Sequence, residues 1–114
     1  MHVPRFHRDV PSRFAVIPRR RHTADIRWSE ADPTYVLHFT NAYEEGDEIV
    51  LEGFHQGCPE PEADGSGDIM TTVFRYLALD NLQPRLHRWR FNLRTGRTRE
   101  ERMTDSITEF WMIN

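Results

Sequence analysis

The chain has 114 residues and a net charge of −3, from fifteen basic residues, all of them Arg, against eighteen acidic ones. That balance excludes a general nucleic-acid binder, which needs clustered positive charge, and a content of 38% hydrophobic with 11% aromatic residues excludes a chain disordered by composition. A single Cys excludes a disulfide framework or Cys-rich zinc module. No apolar run approaches the ~20 residues that span a bilayer, and MHVPRFHRDV has no apolar signal core, so the expectation is a soluble cytoplasmic chain of at most one small domain.

In chain order the pattern is all-β with one interruption. Arg13 to Ile17 is a short strand stopped by Pro18, and Ile26 to Trp28 is a second, entering a turn at Glu30-Ala31-Asp32-Pro33. YVLHFTNAY (Tyr35 to Tyr43), EEGD and EIVLEGF (Glu48 to Phe54) form a hairpin around a Gly-containing connection. His55 to Asp68 is a Pro-, Gly- and acid-rich surface loop. Ile69 to Leu82 places Met70, Val73, Phe74, Leu77 and Ala78 on one face of a possible short helix near 70–80, ended by Pro84. RLHRWRFNL and RTREERM form a second hairpin about Arg94-Thr95-Gly96, and a last strand includes Glu109 to Met112. Two hairpins and one marginal helix leave exposed edges and little shared core. The apolar, uncapped ITEFWMIN reads as a chain ending mid-strand, so an incomplete domain is expected.

Charge falls in blocks. Residues 1–27 hold seven Arg and two carboxylates, residues 28–68 eleven carboxylates and no Arg, and residues 69–114 eight Arg and five carboxylates. Such blocks are either solvated turns between basic strands or surfaces that neutralise other parts of a larger protein.

Alternation within the hairpins sorts the side chains. Tyr35, Leu37, Phe39, Asn41 and Tyr43 share one face, leaving His38 among the smaller Val36, Thr40 and Ala42. His87 shares a face with Trp89, Phe91 and Leu93, as a packed core histidine. The six His residues include no HxH or HExxH pairing. On its chemistry alone His38 is either a hydrogen-bonded interior histidine or a ligand assembled with distant residues. Glu44, Glu45, Asp47 and Glu48 lack the ligand spacing of a Ca²⁺ loop and read as a solvated turn. Cys58, beside PEPE, is a poor nucleophile. No phosphate-binding Gly motif is present.

RFAVIPRR, IRW and the continuous YVLHFTNAYEEGDEIVLEG, followed in order by RLHRWRFNLRTGRTREERMTDSITEFWMIN, resemble the carotenoid cleavage oxygenase family, which includes lignostilbene dioxygenases. The resemblance implies a seven-bladed β-propeller, of which residues 1–114 are an incomplete segment of about two blades. It further implies an Fe(II) held by four His that, with O₂, cleaves a C=C bond of carotenoid, apocarotenoid or stilbene-like substrates to carbonyl products. Matched by motif, His38 corresponds to the third of the four ligands. Glu109, in T-E-F-x-x-I-N, corresponds to a glutamate that accepts a hydrogen bond from a ligand imidazole. An imidazole that binds Fe(II) through one nitrogen needs such an acceptor at the other. The sequence also departs from the family: no His is followed by Asp, as in the upstream ligand motif, the fourth ligand lies beyond Asn114, and Trp111 stands where Pro is frequent. The implied reading is therefore an internal segment of an apolar-substrate dioxygenase, inactive alone and completed by the remaining blades. The resemblance also allows peripheral membrane contact. The alternative is a non-catalytic β interaction module, or a split-enzyme subunit, pairing through exposed strand edges.

Overall fold

The computed structural model describes residues 6–57 and 83–108. Among them six antiparallel strands form two sheets. β1 (Ser12–Val16) pairs with β2 (Arg27–Ala31), and a four-stranded sheet runs in the order β3 (Phe39–Glu45), β4 (Glu48–His55), β5 (Arg85–Asn92), β6 (Thr98–Arg102). A 3₁₀ turn at Thr23–Asp25 is the only helical element among the described residues. The expected helix near 70–80 and the last strand at Glu109 to Met112 lie outside them.

Local chemistry explains the hairpin turns. Gly46 and Gly96 carry φ of +60° and +73°, the left-handed conformation a tight turn needs and a Cβ disfavours. Asn92 Oδ1 accepts from the Arg94 and Thr95 amides (3.1 and 2.8 Å), closing the second turn.

Three expectations need correction. The two hairpins are not separate units with little shared core. β4 and β5 pair along their full length, from Glu48↔Asn92 to His55↔Arg85, so they make one sheet. Glu30 and Ala31 are not in a turn: pairing with Arg13 and Ser12 carries β2 to Ala31, and Asp32 and Pro33 follow it. Tyr35 to Tyr43 is not one uniform strand. Tyr35 makes an isolated bridge to Gln56, β3 begins only at Phe39, and a register shift between Phe39 and Asn41 breaks the alternation. Ala42 is consequently exposed and falls opposite Leu51, away from the set expected around His38.

The sheet has two different faces. On one, Trp89 and Phe91 are buried against Phe14 and Ala31 of the β1–β2 hairpin, with Val36, Ile49 and Leu51 around them. Phe14 reaches both rings, at 5.7 Å from Trp89 and 4.9 Å from Phe91. Fully burying side chains of this size stabilises by roughly 2–3 kcal/mol each. Hydrogen bonds fasten the hairpin at both ends: Arg27 Nη1 donates to Leu93 O (2.7 Å) and the Asp32 amide to Glu100 Oε2 (2.8 Å).

The opposite face carries ion pairs. Arg88 binds the buried Glu52 through Nε and Nη2 (2.8 and 2.7 Å), Arg90 binds Glu45 and Glu48, and Arg99 also binds Glu48 (3.0 Å). Glu48 sits below the usual carboxylate range: burial pushes it upward, and hydrogen bonds and charge from Arg99 and Arg90 outweigh that. The sheet edges differ as well. β6 presents the sequence TREER, whereas the segment leading into β3 exposes Tyr35, Leu37 and Phe39.

The buried pair and an exposed one separate energetically. Arg88→Ala leaves the Glu52 carboxylate, 5% exposed, without its guanidinium, and is expected to cost about 3 kcal/mol. Arg94→Ala removes a pair with Asp47 that is 73% and 61% exposed, and is expected to cost under about 1 kcal/mol. Urea-denaturation midpoints of the two variants check this ordering.

Candidate functional site

His38 immediately precedes β3, on a segment that lies along the end of β4 at the open edge of the sheet. The Phe54 amide donates to His38 O (3.1 Å), the Gln56 amide donates to Tyr35 O (3.0 Å), and Thr34 Oγ1 donates to Gln56 O (3.1 Å). Exposure alternates along this segment: Val36, His38 and Thr40 are half-buried, while Tyr35, Leu37 and Phe39 stand out at 44%, 51% and 51%. A half-buried imidazole therefore lies between two exposed apolar side chains. The register shift that follows gives β3 one extra residue, a device that re-aims a strand where side chains must point in a particular direction.

A second histidine cluster lies across the sheet. His55 and His87 stack at 4.8 Å, and His87 lies 4.7 Å from the Trp89 ring. His87 Nε2 is 3.3 Å from Glu100 Oε1, and since a carboxylate oxygen accepts, the ring presents Nε2–H to it. Glu100 thus joins His87 on β5 to the Asp32 amide at the end of β2. Both imidazoles are held below their ordinary pKa of 6.5. For His55 the causes are burial and then the neighbouring His87. For His87 burial dominates and Glu100 pulls the other way. The arrangement packs and fastens, as expected for His87; no one-dimensional signal marked His55 as its partner.

Of the expected site residues His38 is among the described residues, and Glu109 lies outside them. Among the described residues no group of three or more His, Cys, Asp or Glu is arranged to hold a metal ion, and no helix is long and apolar enough to cross a membrane. Imidazole nitrogen suits Fe(II), but one donor is not a site. The described residues alone therefore do not fit an iron centre, and His38 supplies one ligand position at most. Gly53, beneath His38, was missed by sequence reasoning; a Gly inside the apolar run EIVLEGF was the available signal.

The stacked pair gives a pH prediction. Because the native pKa values are depressed, the unfolded chain binds the extra protons. Stability is complete above about pH 6.5 and declines as pH falls through that value toward the native pKa values. Urea midpoints are expected to be flat from about pH 8 to 7 and to fall by about pH 5.5, and less steeply in His55→Gln.

Comparison with known proteins gives one consistent result. The family model described as Retinal pigment epithelial membrane protein matches residues 1–114. Carotenoid 9,10(9′,10′)-cleavage dioxygenase 1 of Pisum sativum is 33% identical over 104 residues, which is 90% of this chain and 18% of the relative. Apocarotenoid-15,15′-oxygenase of Synechocystis is 32% identical over 88 residues, 77% of the chain and 16% of the relative. The crystal structure of cobalt-substituted Synechocystis ACO superposes with a TM-score of 0.71 at 27% identity, covering 93% of this chain and 21% of that one. The chain spans about a fifth of the length of the curated relatives it matches.

Proposed function

The chain belongs to the carotenoid cleavage oxygenase family, and from that premise we propose that it forms part of an Fe(II)-dependent oxygenase. Its reaction is oxidative cleavage of a C=C bond in a carotenoid, apocarotenoid or stilbene-like substrate to carbonyl products. The observation that carries this reading is His38, the motif-matched imidazole, half-buried at the start of β3 between the exposed Leu37 and Phe39. The cobalt-substituted form of a solved relative is in keeping with a metal-dependent family.

In this reading residues 1–114 are a propeller segment, and further chain supplies the other iron ligands. His38 offers one neutral nitrogen as a ligand. Glu109 accepts the N–H of another ligand imidazole, fixing its tautomer and ring plane. Leu37 and Phe39 flank His38 with exposed apolar surface of the kind that suits a hydrocarbon substrate. Iron, when bound, supplies the activation of O₂. With a single Cys in the chain, we assign it to the reducing cytoplasm.

The exposed row at the β3 edge also suits strand addition by another chain, the basis of a non-catalytic reading. Grafting residues 6–108 into Synechocystis apocarotenoid-15,15′-oxygenase, in place of the matching segment, separates the two. The graft is expected to retain iron and to cleave apocarotenoid. His38→Ala should lower iron retention by more than about tenfold and abolish cleavage. His87→Ala should leave iron in place and lower the melting temperature. Full iron retention by the His38→Ala graft would overturn the oxygenase reading and favour the interaction module.

A further inference from the structure

We infer that Gly53 is a positioning residue for His38: the missing side chain at 53 is what lets the His38 carbonyl seat on β4 and so fixes where the imidazole enters the site. The inference rests on the reading of His38 as a metal ligand.

Gly46 and Gly96 are glycines for conformational reasons, with positive φ and open space where a Cβ would stand. Gly53 is the reverse case. Its φ lies outside the left-handed region, so the backbone does not require glycine there, but the space does. A Cβ on Gly53 would stand 2.9 Å from His38 O, 2.7 Å from Phe39 Cδ1 and 3.3 Å from Phe39 Cα. The Phe39 ring is half exposed and sits edge-on to Phe14 at 6.5 Å and Trp89 at 6.1 Å, and rotation about its side-chain torsions can relieve the contact. The His38 carbonyl is backbone and is already engaged by the Phe54 amide at 3.1 Å, so it cannot give way without breaking that bond. The carbonyl is the hard obstacle.

The geometry on either side leaves His38 little freedom to compensate. Upstream, Tyr35 O is tied to the Gln56 amide. Downstream, the register shift between Phe39 and Asn41 begins at once. The carbonyl and the Cα–Cβ bond of one residue are related through a single torsion, ψ, so seating the carbonyl restricts the direction along which the imidazole projects. A side chain at 53 lifts the carbonyl and turns that vector, while the ladder of β4 with β5 on its other side is untouched.

The test uses the full 114-residue chain, with NMR on Gly53→Ala, Phe39→Ala and the double variant. Gly53→Ala is expected to speed amide exchange at Phe54 by more than about tenfold and to move the His38 carbonyl and imidazole resonances. Val50 and Arg90 should keep their protection. Because the obstacle is the carbonyl, the same local effect is expected in Phe39→Ala/Gly53→Ala. Unchanged Phe54 exchange and His38 resonances in Gly53→Ala would overturn the inference. So would recovery in the double variant, which would make the Phe39 ring the obstacle. Protection lost equally at Val50 and Arg90 would also overturn it, since Gly53 would then serve the sheet in general. Iron retention in the His38→Ala graft decides the ligand reading separately, so either conclusion can fail while the other stands.

Discussion

The structure depends on the ladder between β4 and β5. Neither hairpin has enough apolar surface to be stable alone, and the ladder joins them into one sheet with a continuous buried face. Its register decides which residues meet. Leu51 lies opposite Trp89 and Ile49 opposite Phe91 on the side that receives the β1–β2 hairpin, while Glu52 lies opposite Arg88 on the other. A slip of one residue would send the aromatic rings to the ionic face and the Arg side chains into the hydrophobic one. Burial and charge pairing therefore enforce the same register, and His38 inherits its position from it.

The blocks of charge along the chain have a structural explanation in this arrangement. The acidic connection between β3 and β4 and the Arg-rich β5–β6 hairpin are remote in sequence and adjacent in the sheet. Glu45, Asp47, Glu48 and Glu52 meet Arg90, Arg94, Arg99 and Arg88. Arg suits these contacts because its planar fork bridges more than one carboxylate, as Arg90 does between Glu45 and Glu48. Much of what the linear sequence presented as unbalanced charge is cross-strand pairing.

What could be read from sequence was local. The turn glycines and two-residue alternation marked both hairpins, and the face shared by His87, Trp89 and Phe91 followed from period alone. Motif resemblance identified the family. Pairing of β4 with β5 was hidden because the two strands are separated by residues 56–84, and alternation says nothing about which strand lies alongside. The irregularity after Phe39 has no turn chemistry of its own and breaks the expected face at Ala42. The continuation of β2 to Ala31 is set by its partner Ser12, against the turn-like chemistry of Asp32-Pro33. The role of Gly53 depends on a neighbour fifteen residues away in the chain, His38, coming within contact distance.

The unlike edges of the sheet impose a direction on anything that extends it. β6 presents Arg99, Glu100, Glu101 and Arg102, whose desolvation penalises an added strand, whereas the approach to β3 offers apolar side chains. During synthesis the apolar edge leaves the ribosome first and the charged edge last. The apolar edge is open to an added strand before β6 exists, and afterwards it remains the more permissive of the two at the segment that carries His38.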